Sequence, residues 1–259
     1  RQRQMCIRDR TQPLYLTYIA GNNTYIYFDH SPRQDLDNAF KYDRFEIQTA
    51  GQNINDSSSR RFVNFNYSQF PNNALKLDAV FEQCGTSQEK IFEFTYITNS
   101  NLPNRDSKDF DHWGYYNGKG NIELFPHFVT TVDDREFSGA NHEPNLYYAQ
   151  ANSLRRISNK TGGHIEYRYE LNQIQEDGIT KNIGGLRIRE IAQIVNGKEY
   201  VTSYHYTKNI SGGESTGLRE GLQPKYYYRA YVPSGGNGMY EWYKVCLLYT
   251  SDAADDGES

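Results

Sequence analysis

The stretch Leu186–Tyr206 reads LRIREIAQIVNGKEYVTSYHY. Two alternating runs flank Asn196-Gly197, a dipeptide whose residues both tolerate positive φ and so favour the tight turn of a β-hairpin. The second run closes on Thr202-x-Tyr204-x-Tyr206, and a spacing of two puts these side chains on one face of a strand.

Working outward, the same layout recurs in Phe45–Tyr67, Leu75–Tyr96 and Leu154–Tyr169. Their closing ladders are Val63-x-Phe65-x-Tyr67, Phe92-x-Phe94-x-Tyr96 and Ile165-x-Tyr167-x-Tyr169. Aromatic and β-branched side chains suit a half-buried pleated surface, and the residues between them are mostly polar. Cys84-Gly85-Thr86 and Gly162-Gly163 mark further turns, and Asp56–Ser59 a longer polar loop. A lone hairpin is marginal in water. Hairpins set side by side would bury one continuous Tyr/Phe face, as in repeat architectures. The expected fold is therefore all-β, made of stacked antiparallel hairpins, with Phe65, Tyr67, Phe94, Tyr96, Tyr167, Tyr169, Tyr204 and Tyr206 as the structural ladder. Tyr at the last ladder position of all four segments favours a repeat over an ordinary sandwich.

Composition agrees. Aromatics make up 15% of the 259 residues, with 23 Tyr and 13 Phe, which argues against simple disorder. Mean hydropathy is −0.85 and no apolar run is long enough for a helical membrane span. A net charge of −4 gives no general electrostatic case for nucleic acid or an anionic membrane.

The ends read differently. Arg1–Arg10 is RQRQMCIRDR, and from Cys246 the chain reads CLLYTSDAADD. Opposite strands of one DNA can encode both: ATG TGT ATA AGA GAC AG for Met-Cys-Ile-Arg-Asp-Arg has a reverse complement containing TGT CTC TTA TAC ACA T, or Cys-Leu-Leu-Tyr-Thr. The pair resembles a translated sequencing adapter, so residues 1–10 and 246–259 are set aside from the fold. Setting them aside changes the net charge to −3 and leaves Cys84 alone, with no internal disulfide. The rest is expected to be an internal fragment of a longer reading frame. It divides into hairpin regions at 11–97 and 154–245, around a loop-rich insert at 98–153. Within the insert, Pro103, Pro126 and Pro144 break any long helix, and only Leu146–Arg156 suits a short one. Beyond Tyr206, Gly- and Ser-rich loops flank the cluster Tyr226-Tyr227-Tyr228 and one more strand.

The insert holds the densest chemistry: Arg105, Asp106, Asp109, Asp111, His112, Trp113, Tyr115 and Tyr116. The carboxylates lack the Gly and distal Glu of a calcium loop, and His112 has no partner at zinc-ligand spacing. The favoured reading is a polar loop pinned by buried Trp113 and Tyr115. The second is a carbohydrate platform of Trp113, Tyr115 and Tyr116. The third, and weakest, is acid–base chemistry by Asp109, Asp111 and His112. Neither a nucleophile elbow nor a phosphate loop is read from the chain, and Gly184-Gly185 and Gly162-Gly163 precede strands rather than helices. Arg155, Arg156, Arg187 and Arg189, offset by Glu166, Glu170 and Glu190, read as a solvated strand face. No catalytic residue, metal ligand or cofactor is expected.

Four blocks carry a resemblance: LKLDAVFE (Leu75–Glu82), LPNRDSKDFDHWGYYNGKGNIELFP (Leu102–Pro126), YYAQANSLRRISNKTGGHIEYRYELNQI (Tyr147–Ile174) and IGGLRIREIAQIVNGKEYVTSYHYT (Ile183–Thr207). Together they resemble the large RHS/YD-repeat surface or secreted proteins of Bacteroidetes-like bacteria. The resemblance implies a β-rich shell of hairpins, secreted or at the cell surface, ahead of a self-cleaving core and a variable C-terminal toxin or effector. The partners it implies are other segments of the same polypeptide, with glycan as the alternative. The strict family repeat ends Tyr-x-Tyr-Asp. Here Tyr67, Tyr96, Tyr169 and Tyr206 are followed by Ser68, Ile97, Glu170 and Thr207.

Overall fold

A computed structural model describes residues 14–49, 51, 60–104, 106–126, 128–129, 136–137, 139–176, 178–209, 213–217, 230–232 and 239–241. Both adapter-like tails, Arg105, the loop Asp56–Ser59 and the cluster Tyr226–Tyr228 lie outside them. The chain forms two compact units. One runs to Phe94 and takes in Ser158–Gly162, and the other holds Thr95–Ile157 and the chain from Gly163.

The first unit is an antiparallel meander of β1 (Tyr18–Gly21), β2 (Thr24–Pro32), β3 (Phe40–Thr49), β4 (Arg61–Gln69), β5 (Leu75–Cys84) and β6 (Ser87–Tyr96). In β2, Ile26, Phe28 and His30 sit on the half-buried face while Tyr25 and Tyr27 point outward. Beyond the hairpins expected from sequence, β4 pairs with β5 from Arg61↔Cys84 to Gln69↔Leu75. The repeat is thus a continuous meander, with every strand zipped to its successor. Among its described residues the buried apolar side chains are Phe70, Ala79 and Val80.

In the second unit β7 (Phe128–Val129) and β8 (Glu136–Phe137) form a short pair, followed by α1 (Leu146–Ala149). The helix is a single turn, capped by the Asn145 side chain on the Tyr147 amide. It is shorter than the expected Leu146–Arg156, because the chain enters β9 (Leu154–Asn159) at Leu154. Then come β10 (His164–Glu176), β11 (Ile179–Val195) and β12 (Lys198–Ser203), with β13 (Ala230–Val232) paired to β14 (Met239–Glu241). Asn196 and Gly197 both have positive φ, 52° and 74°, and join Val195 to Lys198 as their sequence demands.

The long β10–β11 hairpin carries two irregularities. Leu171 faces Leu186 while Asn172 faces Ile183, so Gly184 and Gly185 bulge out of the ladder. Arg168 faces Glu190 while Tyr169 faces Ile188, which leaves Arg189 as the extra residue of a second bulge. The glycine pair therefore lies inside β11 rather than before a strand.

The expected buried aromatic stripe needs correcting. Phe65, Tyr67, Phe94, Tyr96, Tyr167, Tyr169 and Tyr206 are half-buried, and Tyr204 is exposed. Tyr204 and Tyr206 lie past the end of β12 at Ser203.

Candidate functional site

In the first unit the rings form a line across the strands. Phe28 of β2 meets Phe45 of β3 at 4.6 Å between centroids, and Phe45 meets Phe65 of β4 at 4.7 Å, both edge to face. Tyr42 flanks Phe28 and Phe45 at 5.8 Å each, and Tyr67 lies 6.4 Å from Phe65. Edge-to-face pairs at these separations add about 0.5–1.5 kcal/mol beyond area burial.

The last tyrosine of a ladder has a further role that sequence reading missed. Tyr67 donates its hydroxyl to the Tyr42 carbonyl at 2.9 Å, Tyr169 to Leu154 at 2.6 Å and Tyr206 to Ile188 at 2.8 Å. Each acceptor lies on the preceding strand. The β3–β4 register ends at Arg44↔Asn64 and the β11–β12 register at Glu190↔Ser203. Tyr67 and Tyr206 therefore tie the strands together just past the point where the backbone ladders stop. Burial pushes the Tyr67 and Tyr169 hydroxyls above their ordinary range. Arg187 lies 4.3 Å over the Tyr206 ring. The recurrence of Tyr at this position was the available signal.

The insert is organised by three polar side chains. Asp111 is 1% exposed, and its Oδ1 accepts from the Trp113 and Tyr115 amides at 2.9 and 3.0 Å. Its own amide donates to the Tyr115 carbonyl at 2.8 Å. Its Oδ2 is buried without a hydrogen-bond partner among the described residues. Burial raises the carboxyl above the ordinary range, against the pull of the amides and of His142. Asn117, fully buried, donates to the carbonyls of Asn141 and Glu143 at 2.7 and 3.2 Å. Buried His142 places Nδ1 2.8 Å from the Phe110 carbonyl and Nε2 3.1 Å from that of Leu124.

The glycine bulge of β11 receives this loop. A Cβ on Gly184 would lie 2.6 Å from Asp111 Oδ2 and 2.9 Å from the Trp113 Cβ. One on Gly185, at φ +95°, would lie 3.2 Å from the Tyr115 hydroxyl. Gly118 likewise makes room for the Tyr148 ring.

The three groups weighed for acid–base chemistry are engaged in holding the loop. Asp109 accepts from the Lys119 and Asn121 amides at 2.9 and 3.2 Å. Asp111 is enclosed as described. His112 packs at 5.7 Å edge-on to Trp113 and 5.0 Å from His142, and burial lowers its pKa to about 4. Of the proposed platform, Trp113 is half-buried, Tyr116 is edge-on to Tyr148 at 5.2 Å, and Tyr115 is 43% exposed. Among the described residues no three His, Cys, Asp or Glu side chains converge as a metal site would require.

One spelling was passed over in the sequence. Gly213–Gly217 reads GESTG, the Gly-x-Ser-x-Gly of a nucleophile elbow. It lies outside any helix or strand. Buried Ser215 bridges Thr207 and donates to the Gln173 carbonyl at 2.9 Å, so it fastens this segment onto β10. Compared with family models, curated proteins and solved structures, the chain matches none.

Proposed function

We propose that this chain is a non-enzymatic segment of a large RHS-like β-scaffold, secreted or at the cell surface. It encloses or displays another part of its own polypeptide, such as a C-terminal toxin or effector. The observation that carries this reading is the ring line Phe28–Phe45–Phe65. It crosses three strands in edge-to-face contact yet stays half-buried. Backbone ladders make a stiff wall, and the half-covered rings give that wall an adhesive inner surface. The engagement of Asp109, Asp111 and His112 in holding the insert supports a structural rather than a catalytic role.

Hydroxyl-radical footprinting tests the reading. The chain alone is compared with the chain joined to its flanking segments. The account expects Phe28, Phe45 and Phe65 to be several-fold less oxidised in the joined form. Equal oxidation in both forms would overturn it. A glycan platform at Trp113, Tyr115 and Tyr116 is the lesser alternative, since only Tyr115 presents much free surface. Retention of the chain on an immobilised neutral glycan, lost in Tyr115→Ala, would restore it.

A further inference from the structure

A cleft of about 560 Å³ opens within the second unit, in the size range of small-ligand sites. Its walls include Arg155 of β9, Tyr167, Arg168 and Tyr169 of β10, and Arg189 of β11. Three arginines are among its lining residues, and no Asp or Glu is among the described ones.

The surrounding arginines show what is unusual about this lining. Arg156 is paired with Glu166, and Arg187 with Glu170 at 2.7 Å. Arg168 reaches Glu190 at 2.9 Å and Glu199 at 2.7 Å. Arg155 makes no ion pair or hydrogen bond among the described residues, although it adds to the positive field at Glu166. Arg189 stands 3.7 Å from Glu190, with half of its side chain exposed. It is also the extra residue of the Arg168/Tyr169 bulge, a device that re-aims a side chain. The Tyr169 ring is fixed by its hydroxyl bond to Leu154, and the amides of Asn99 and Gln150 border the same space.

We infer that this cleft binds a short acidic saccharide, with Arg155 and Arg189 gripping a sugar carboxylate and Tyr167 and Tyr169 packing against the ring. Guanidinium forks match carboxylates in two-point geometry. Aromatic walls and amide groups suit a hydroxylated ring with apolar faces. The net negative charge, −4 for the full chain and −3 without its two ends, opposes a densely charged polyanion, which favours a sparsely charged saccharide over nucleic acid. The inference is independent of the scaffold reading.

Calorimetric titration of the full chain with trigalacturonate tests it, with maltotriose and a hexathymidine oligonucleotide as comparators. Saturable binding of trigalacturonate is expected, weakened by added salt. It should fall roughly tenfold or more in Arg155→Gln/Arg189→Gln and by less in Arg155→Lys/Arg189→Lys. Arg61→Gln, in the first unit, should bind as the parent does. Both cleft arginines are exposed, and circular dichroism checks that the variants remain folded. Absence of trigalacturonate binding, or equal binding by the Gln double variant, would overturn the proposal. Equally tight maltotriose would overturn the role of the carboxylate, and tighter oligonucleotide binding would overturn the saccharide.

Discussion

Burial raises the Asp111 carboxyl above its ordinary range, so the folded chain favours the protonated form. Its contribution to stability is full below the unfolded value of 3.8 and is lost as pH rises through the raised folded value. His112 acts on the other side. Its pKa falls from 6.5 to about 4, so its contribution is present above 6.5 and is lost as pH drops toward 4. Urea midpoints measured across pH should therefore show less loss as pH rises above 3.8 in Asp111→Asn than in the parent. They should show less loss between pH 6.5 and 4 in His112→Phe. Gly184→Ala should destabilise by about 1–3 kcal/mol, because its methyl would press on Asp111 and Trp113. Tyr169→Phe should cost about 1 kcal/mol, the worth of one hydroxyl bond to a carbonyl, measured by the same titration. At this scale the sequence was only partly legible. Asp111 and Trp113 stood out in it. Gly184, against which both pack, and His142, which bonds the Phe110 carbonyl beside Asp111, are remote in the chain, and no local spacing links them.

Among the elements, the hairpins were legible because their signals are local. Asn196-Gly197 sets a two-residue turn between β11 and β12. What stayed hidden depends on register. The bulges at Arg189 and at Gly184–Gly185 follow from how β10 and β11 align, which neither strand specifies alone. The half-buried state of the ladder was also hidden, since alternation shows which face is apolar but not what covers it. Tyr167 illustrates the consequence. Its ring is half-buried in β10, so Tyr167→Ala should cost less than a full core truncation, about 1–2 kcal/mol. Limited proteolysis should then cut first in the β9–β10 and β10–β11 turns. A cleavage pattern identical to that of the parent would count against the ladder as a source of strand cohesion.

For the molecule as a whole, the proposed wall draws its support from the polar composition and the antiparallel meander. Buried apolar side chains are few among the described residues, and several are alanines. Ring contacts link Phe28, Phe45 and Phe65 across strands, and the closing hydroxyls of Tyr67, Tyr169 and Tyr206 bond backbone carbonyls. Such a wall is useful when something else covers its apolar line, and that is the central claim. Reading the source locus outward from Thr11 and Val245 tests it most directly. The account predicts that the frame runs on into further alternating, Tyr-closed hairpins and then a variable segment to be enclosed. A signal peptide immediately before Thr11 together with a stop codon just after Val245 would contradict it.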